Sequence, residues 1–125
     1  MTRRLVLLLS VAACLLVFAG PSPAQAQVQV HPAEAEAAIR YHFDADEEDF
    51  AIAVSACETG LGQDIYNEAS AAYGILQFLP STAYDMGYDY SAMGDPWYAA
   101  WAAKDLHDYY EAQGMWGFTP WACAY

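Results

Sequence analysis

The sequence predicts an all-α fold. Proline and glycine residues divide the chain into segments of helical length, and apolar residues within them recur every three or four positions. No stretch alternates polar and apolar residues for long enough to form a sheet. A chain of 125 residues has room for about one domain. We therefore expect a single helical domain.

The first predicted helix begins at Pro32 and runs to about His42. Proline suits the first turn of a helix because its fixed φ angle and its missing N–H are tolerated there. The acidic turn at 44–46 ends this helix and begins the next. Spacing predicts that the inward-facing residues are Ala37, Ala38, Tyr41 and His42.

The second predicted helix follows that turn and ends at the glycines at 60 and 62. Its apolar residues recur at intervals of three and four, which predicts one buried stripe. The stripe consists of Phe50, Ala53, Val54 and Cys57.

The rest of the chain predicts a loop and two more helices. Residues 61–71 are polar and rich in turn formers, which indicates a loop with at most a vestigial β-ribbon. Pro80 suits the first position of a short helix that ends at Gly87. Asp95 followed by Pro96 favours the start of a longer helix ending at Gly114. Its apolar positions are Ala99, Ala102, Ala103, Leu106, Tyr109 and Tyr110.

Residues 1–26 have the features of a secretory signal peptide. A basic start precedes an uncharged apolar run at 5–19, and Ala-Gln-Ala at 24–26 is a small-x-small cleavage site. The mature domain would span residues 27–125, secreted or held in the periplasm or cell wall. The apolar run is too short for a membrane span. A lipoprotein signal is the alternative, because Cys14 follows Val-Ala-Ala.

The predicted mature domain is strongly acidic. Arg40 and Lys104 are its cations, against sixteen Asp and Glu side chains, which gives a net charge of −14. This charge disfavours binding to nucleic acid or to an anionic membrane. An acidic surface also keeps a small protein soluble.

Cys57 and Cys123 remain after removal of the signal peptide. Thiols oxidise outside the cytosol, and a small domain gains much from a crosslink, so we expect one disulfide. It would stabilise the fold by roughly 4 kcal/mol in the chain-entropy model. Two buried free thiols are the alternative. A zinc site is not expected, because no histidine lies at ligand spacing from either cysteine.

Two segments carry the strongest motif in the chain. Cys-Glu-Thr-Gly occupies 57–60, and Ala-Tyr-Gly-Ile-Leu-Gln-Phe-Leu-Pro-Ser-Thr occupies 72–82. This order resembles the lytic transglycosylase family of the lysozyme superfamily, in which Glu-Ser-Gly precedes Gly-Leu-Met-Gln-Phe-Met-Pro-Ser-Thr. The resemblance covers roughly residues 49–87. It implies a lysozyme-like helical domain with little or no β-ribbon.

The resemblance makes Glu58 the catalytic residue. Cleavage of a glycosidic bond needs a proton for the leaving oxygen, and a protonated carboxyl supplies it. Glu58 is expected in the last turn of its helix, where the helix dipole and apolar neighbours favour the protonated form. In the family one Glu acts as acid and then as base, while the substrate's acetamido group attacks the anomeric carbon. The product is a 1,6-anhydro sugar, and no second carboxylate is needed.

Three residues are expected to bind substrate by their match to the family. Gln77 matches the motif glutamine that hydrogen-bonds the sugar beside the acid, and Thr59 stands where the family usually has serine. The family's Ala-Tyr-Asn-x-Gly segment, which closes the groove, is reduced here to Ala-Tyr at 124–125. A disulfide between the two cysteines would bring Tyr125 close to the acid.

The loop between the motif segments supplies further candidates. Asn67, Ser70 and Tyr73 are expected as polar and stacking contacts, with turn formation and core packing as the alternative roles. Asp64 and Glu68 are the nearby carboxylates that an ordinary glycoside hydrolase would need about 5 to 9 Å from its acid. Neither of these two carboxylates lies in a catalytic motif.

The sequence thus predicts a secreted, monomeric lytic transglycosylase that cleaves peptidoglycan between N-acetylmuramic acid and N-acetylglucosamine. No cofactor or metal is expected. One alternative is a lysozyme-type muramidase. Another is a non-catalytic peptidoglycan-binding module, which the small size and acidic charge favour and the retention of Glu58 and Gln77 disfavours.

Overall fold

The computed structural model describes residues 29–125, and the expected signal peptide lies outside the described residues. Two 3₁₀ turns accompany the helices, and no strand occurs within the described range. The all-α prediction is confirmed. The helices are α1 (Pro32–His42), α2 (Glu48–Thr59), α3 (Pro80–Met86) and α4 (Pro96–Ala112), and the turns are Tyr90–Gly94 and Ala122–Ala124.

The loop between α2 and α3 contains only isolated β-bridges. Tyr73 pairs with Tyr66 and with Phe78 in antiparallel fashion. These bridges agree with the prediction of at most a vestigial ribbon. They draw the loop into a compact turn beside the end of α2.

Local chemistry places the helix ends close to the predicted positions. Proline occupies the first turn of α1, α3 and α4, where its missing N–H leaves no helical hydrogen bond unmade. The Asp95 side chain accepts a hydrogen bond from the backbone N–H of Trp97 and caps α4. Gly60 ends α2 in the left-handed conformation, with φ of 61°.

Helix α4 is the centre of the core. Helix α1 packs along it, and α1 also packs against α2. The side chains that α4 buries are mostly alanines, so the neighbouring backbones can approach closely. Aromatic rings from the connecting segments fill the remaining core, among them Phe43, Phe78, Phe118 and Trp121.

The buried face of α1 differs from the predicted one. Ala38 is buried as expected, but its buried neighbours are Ala35 and Ile39. Tyr41 is 76% exposed, and its ring lies edge-on to the exposed Trp97. Ile39, the largest aliphatic side chain of α1, sets the face that turns inward.

The buried stripe of α2 was also predicted on the wrong face. Val54 is buried, whereas Phe50, Ala53 and Cys57 are exposed. Two of the four buried residues are polar. They can be buried because their hydroxyls form hydrogen bonds inside the protein. A pattern of apolar residues does not reveal such a face. The buried residues are Ala51, Val54, Ser55 and Thr59.

The last turns of α4 differ in a similar way. Tyr109 is exposed and Tyr110 is half-buried, contrary to the prediction. His107 is buried instead, with its ring between the rings of Phe43 and Phe118. Its Nδ1 lies 3.0 Å from Asp108 Oδ1, which gives the buried imidazole a polar partner.

Lys104 joins α4 to the turn that precedes α2. Its ammonium lies 2.7 Å from Glu47, 2.9 Å from Asp108 and 3.1 Å from Asp44, and its side chain is 15% exposed. Burial by itself would lower the pKa of Lys104, but hydrogen bonds to the three carboxylates outweigh burial and raise it. Lys104 therefore stays charged and holds the turn in place.

No helix in the described range is long and apolar enough to span a membrane.

We predict that Lys104→Met lowers the free energy of unfolding by about 2 kcal/mol, because Glu47 is left partly buried without its cation. Arg40→Met is the matched control. Arg40 also pairs with three carboxylates but is 41% exposed, so its loss should destabilise the protein much less than the loss of Lys104. Urea unfolding followed by tryptophan fluorescence measures both. Equal losses would contradict this assignment.

The pH dependence gives a second readout of the same contact. Because the pKa of Lys104 is raised on folding, its stabilisation is fully present below pH 10.5 and is lost as the pH rises through the folded value. The difference between wild type and Lys104→Met should therefore be constant near neutral pH and shrink only in strong alkali.

Candidate active site

Glu58 lies in the middle of a surface groove. A depression of about 730 Å³ and a smaller one of about 230 Å³ share Glu58, Asn67 and Gln77 as lining residues. The larger depression also shares Gln29 and Gln63 with a third hollow of about 480 Å³. The three hollows adjoin one another at these shared residues, and we refer to them together as the groove.

The two hollows that meet at Glu58 differ in chemistry. The larger one is lined by polar side chains, including Asp64 and Glu68. The smaller one has apolar walls, to which Leu76, Phe78 and Trp121 contribute. No Lys or Arg of the described chain lines either hollow. An extended ligand would therefore meet carboxylates and amides on one side of Glu58 and apolar surface on the other.

Glu58 is partly exposed and belongs to the last turn of α2, as predicted. Its Oε1 accepts a hydrogen bond of 3.2 Å from the backbone N–H of Cys123. Within the described residues, Oε2 has no hydrogen-bond partner. The carboxyl group is thus held by one oxygen and offers the other to a ligand.

Two buried hydroxyls join the end of α2 to the motif loop, the part of the 72–82 motif segment that precedes α3. Ser55 Oγ donates to the carbonyl of Ile75 at 2.7 Å. Thr59 Oγ1 lies 3.1 Å from the same carbonyl and accepts a hydrogen bond from the N–H of Gly62. Three elements therefore meet at these hydroxyls: the helix of Glu58, the loop that follows it and the loop of Gln77.

Gln77 fixes the shape of its own loop. Its Nε2 donates to the carbonyls of Ile65 at 3.0 Å and Gly74 at 3.1 Å, which occupies the amide nitrogen. The residue has a φ of 50°, in the left-handed region. These contacts leave Oε1 as the atom of the amide that can accept a hydrogen bond from a ligand in the groove.

Gly74 allows the motif loop to pack closely. Its φ is 90°, and a Cβ at this position would lie 2.5 Å from the carbonyl oxygen of Met93. A side chain is therefore excluded by both conformation and space. The fold therefore requires glycine at position 74, whether or not a ligand binds.

The C-terminal segment completes the groove. The predicted disulfide is confirmed, with 5.9 Å between the Cα atoms of Cys57 and Cys123. Trp121 is buried, and its indole Nε1 donates to the carbonyl of Leu76 at 2.8 Å. The segment is thus joined to both the helix of Glu58 and the loop of Gln77.

Three of the predicted substrate contacts line the groove, namely Gln77, Asn67 and Ser70. Asn67 and Ser70 also act as turn formers. Asn67 Oδ1 accepts from the N–H groups of Ala69 and Ser70, and Ser70 Oγ accepts from Ala72. Both of the roles weighed for these residues are therefore compatible with the structure.

The other three predicted contacts lie outside the hollows that meet at Glu58. Thr59 is 3% exposed, and its hydroxyl is already bonded to the backbone. Tyr73 packs its ring between Tyr66 and Tyr90. Tyr125 is 82% exposed and lies edge-on to Trp116. These residues shape or flank the hollows that meet at Glu58, and their role as substrate contacts stays a prediction.

Sequence reasoning missed the contribution of the N-terminal segment to the groove. Gln29 and Gln63 line the larger hollow together, because the Val30 N–H donates to the Gly62 carbonyl at 2.9 Å. This contact joins residues more than thirty positions apart and has no local sequence signal. Trp121 was also missed, because no motif distinguishes it from the three other tryptophans of the chain.

Two clusters of potential metal ligands occur in the described residues, both away from the groove. One contains Glu47, His107 and Asp108, and the other adds Asp44 and Asp46 to Glu47. The ammonium of Lys104 pairs with Asp44, Glu47 and Asp108 of these clusters and partly offsets their charge. These groups are accounted for as an ion-pair network.

Comparison with protein-family models, curated proteins and solved structures gives no match for this chain. The geometry of the groove therefore carries the functional argument.

We predict that Thr59→Val lowers the free energy of unfolding by about 2 kcal/mol. The Gly62 N–H loses its buried partner, and the carbonyls of Ser55 and Ile75 lose the one hydroxyl proton that they share. Thr59→Ser keeps the hydroxyl and should cost less than about 1 kcal/mol. Chemical denaturation of the two variants measures the difference. A serine variant as unstable as the valine variant would show that the hydroxyl is not the stabilising group.

Proposed function

We propose that this protein is a secreted peptidoglycan lytic transglycosylase with a lysozyme-like domain and that Glu58 is its catalytic acid and base. The observation that carries the proposal is the groove itself, in which Glu58 and Gln77 line the same two hollows. The two residues come from separate segments that both match the motif of the family. Their meeting in one groove is what a shared catalytic role requires.

The dimensions and position of the groove support a polymeric substrate. Two hollows share Glu58 as a lining residue, so a glycan strand that occupied both would have sugars before and after the scissile bond. Polar side chains in the larger hollow suit sugar hydroxyls, and Trp121 among the apolar walls of the smaller hollow suits a sugar face. Glu58 would then lie at the bond between two sugars.

The proposed reaction uses one carboxyl group. Glu58 donates its proton to the glycosidic oxygen as the bond to the anomeric carbon breaks, and the carbonyl oxygen of the substrate's N-acetyl group attacks that carbon. The Glu58 carboxylate then removes the proton from the 6-hydroxyl of the same sugar. That hydroxyl attacks the anomeric carbon, closes the 1,6-anhydro ring and releases the acetamido group.

A lysozyme-type hydrolase is the second candidate, and a specific observation favours it. Asp64 and Glu68 line the same hollow as Glu58. Either carboxylate could activate a water molecule or stabilise the cationic transition state, which is the second role in ordinary glycoside hydrolysis. The transglycosylase needs neither, because the substrate supplies its own nucleophile.

We predict that mature protein incubated with purified peptidoglycan releases muropeptides with 1,6-anhydro ends, detected by mass spectrometry. Glu58→Gln should lower the rate by about 10²- to 10⁴-fold, because the amide cannot donate or accept the catalytic proton. Gln matches Glu in shape, so the fold should be retained.

The matched controls are Asp64→Asn and Glu68→Gln. A transglycosylase should keep most of its rate in both variants. Reducing ends in place of anhydro ends, with activity lost in one of these variants, would establish the hydrolase. Binding of folded protein to peptidoglycan without release of any product would overturn both and indicate a binding module.

A further inference from the structure

The C-terminal segment reaches the proposed catalytic carboxyl by an unusual route. Cys57 directly precedes Glu58, and its disulfide brings Cys123 to the end of α2. The backbone N–H of Cys123 then donates to Glu58 Oε1 at 3.2 Å. The crosslink and the hydrogen bond thus join two adjacent residues of α2, Cys57 and Glu58, to the same residue, Cys123. A donor that lies 65 positions away in the chain is placed beside the carboxyl by a covalent bond.

The single hydrogen-bond donor fixes the orientation of the Glu58 carboxyl group. With Oε1 held by Cys123, rotation about the last side-chain bond of Glu58 is restricted, and Oε2 is the oxygen available for proton transfer. General acid catalysis depends on this kind of placement, since a misplacement of about 1 Å can cost about 100-fold in rate. Among the described residues, no other group donates a hydrogen bond to this carboxyl.

The rest of the segment does not depend on the disulfide. Trp121 is 5% exposed, packs on the rings of Phe78 and Phe118, and is hydrogen-bonded to the carbonyl of Leu76. These contacts hold the chain as far as residue 121 without help from Cys123. Residues 122–125 have weaker contacts, namely the hydrogen bond from Ala124 to the Trp121 carbonyl and the packing of Tyr125 on Trp116. Loss of the crosslink should therefore loosen these residues first, and they include the donor to Glu58.

We propose that Cys123 is a positioning residue for Glu58 and that the disulfide to Cys57 makes catalysis depend on the oxidation state of this pair. The proposal rests on the proposed function for its catalytic part. Reduction by a dithiol transfers two electrons and two protons to the disulfide and yields two thiols, while the dithiol becomes a disulfide. The reduced protein keeps its core but loses the orientation of the acid.

The hydrogen bond has a direct spectroscopic test in the oxidised mature protein. The ¹⁵N and ¹H shifts of the Cys123 amide should follow the ionisation of Glu58 during a pH titration, and Glu58→Gln should abolish that step. The Ala124 amide is the internal control, because it donates to the Trp121 carbonyl and not to a carboxylate. A Cys123 amide that does not titrate with Glu58 would overturn the proposed contact.

The catalytic consequence is tested by turnover on peptidoglycan before reduction, after reduction with dithiothreitol and after reoxidation. We expect kcat to fall about 10- to 100-fold on reduction, with KM changed less than about twofold and kcat recovered on reoxidation. Circular dichroism at the assay temperature reports whether the reduced protein is folded. The Cys57→Ser/Cys123→Ser double variant should match the reduced protein.

Lys104→Met controls for loss of stability alone. It is destabilised at a distance from the groove, so it should keep the wild-type kcat while folded. If the reduced protein unfolds at the assay temperature, the measurement is repeated at a lower temperature, where circular dichroism shows it folded. Full kcat in a folded, reduced protein would overturn the proposal.

The two proposals can fail separately. If the oxidised protein releases no product but the Cys123 amide titrates with Glu58, the proposed function fails and the positioning contact stands. If product is released equally by oxidised and reduced protein, the function stands and the dependence on oxidation fails.

Discussion

The site depends on the hydrogen bonds that join α2 to the motif loop at the carbonyl of Ile75. Ser55 and Thr59 each place a hydroxyl at this oxygen from successive turns of the helix. Because both hydroxyls are buried, water cannot replace a hydrogen-bond partner that is lost. A shift of the motif loop would therefore leave polar groups unpaired. Since Gln77 follows Ile75 by two residues and Glu58 precedes Thr59, this contact ties together the two segments that carry Glu58 and Gln77.

The distribution of charge also decides which ligands suit the groove. Both cations of residues 29–125 are engaged in carboxylate clusters outside the groove, Arg40 on α1 and Lys104 on α4. They offset the repulsion that an acidic domain would otherwise suffer near the α1–α2 turn. The groove itself is left with carboxylates and amides. A neutral stretch of glycan is compatible with this surface, whereas a densely anionic polymer would be repelled.

A domain of this size has little core with which to define a site. The disulfide compensates for this in two ways, since it restricts the unfolded chain and brings the C-terminal segment against α2. The same segment supplies Trp121 to the core and to the groove. Stability and the geometry of the site are thus combined in a few residues near the end of the sequence.

The sequence by itself determined most helix boundaries, because caps, prolines and glycines act locally. It also determined the partners of the disulfide, because Cys57 and Cys123 are the only cysteines in residues 27–125. Pro80, Asp95 and Gly60 ended or began helices close to where they were predicted. It also singled out Glu58 and Gln77, since a motif fixes residue types and order.

Only the tertiary structure decided which faces are buried and which candidates line the groove. A hydroxyl such as that of Thr59 can be buried once a distant carbonyl accepts its hydrogen bond, and no periodicity in the sequence reveals that carbonyl. Likewise, Tyr125 lies beside Trp116 and the backbone of Cys123 reaches Glu58, because the disulfide fixes the chain only at residue 123. Local patterns set the elements, and contacts between distant residues set the site.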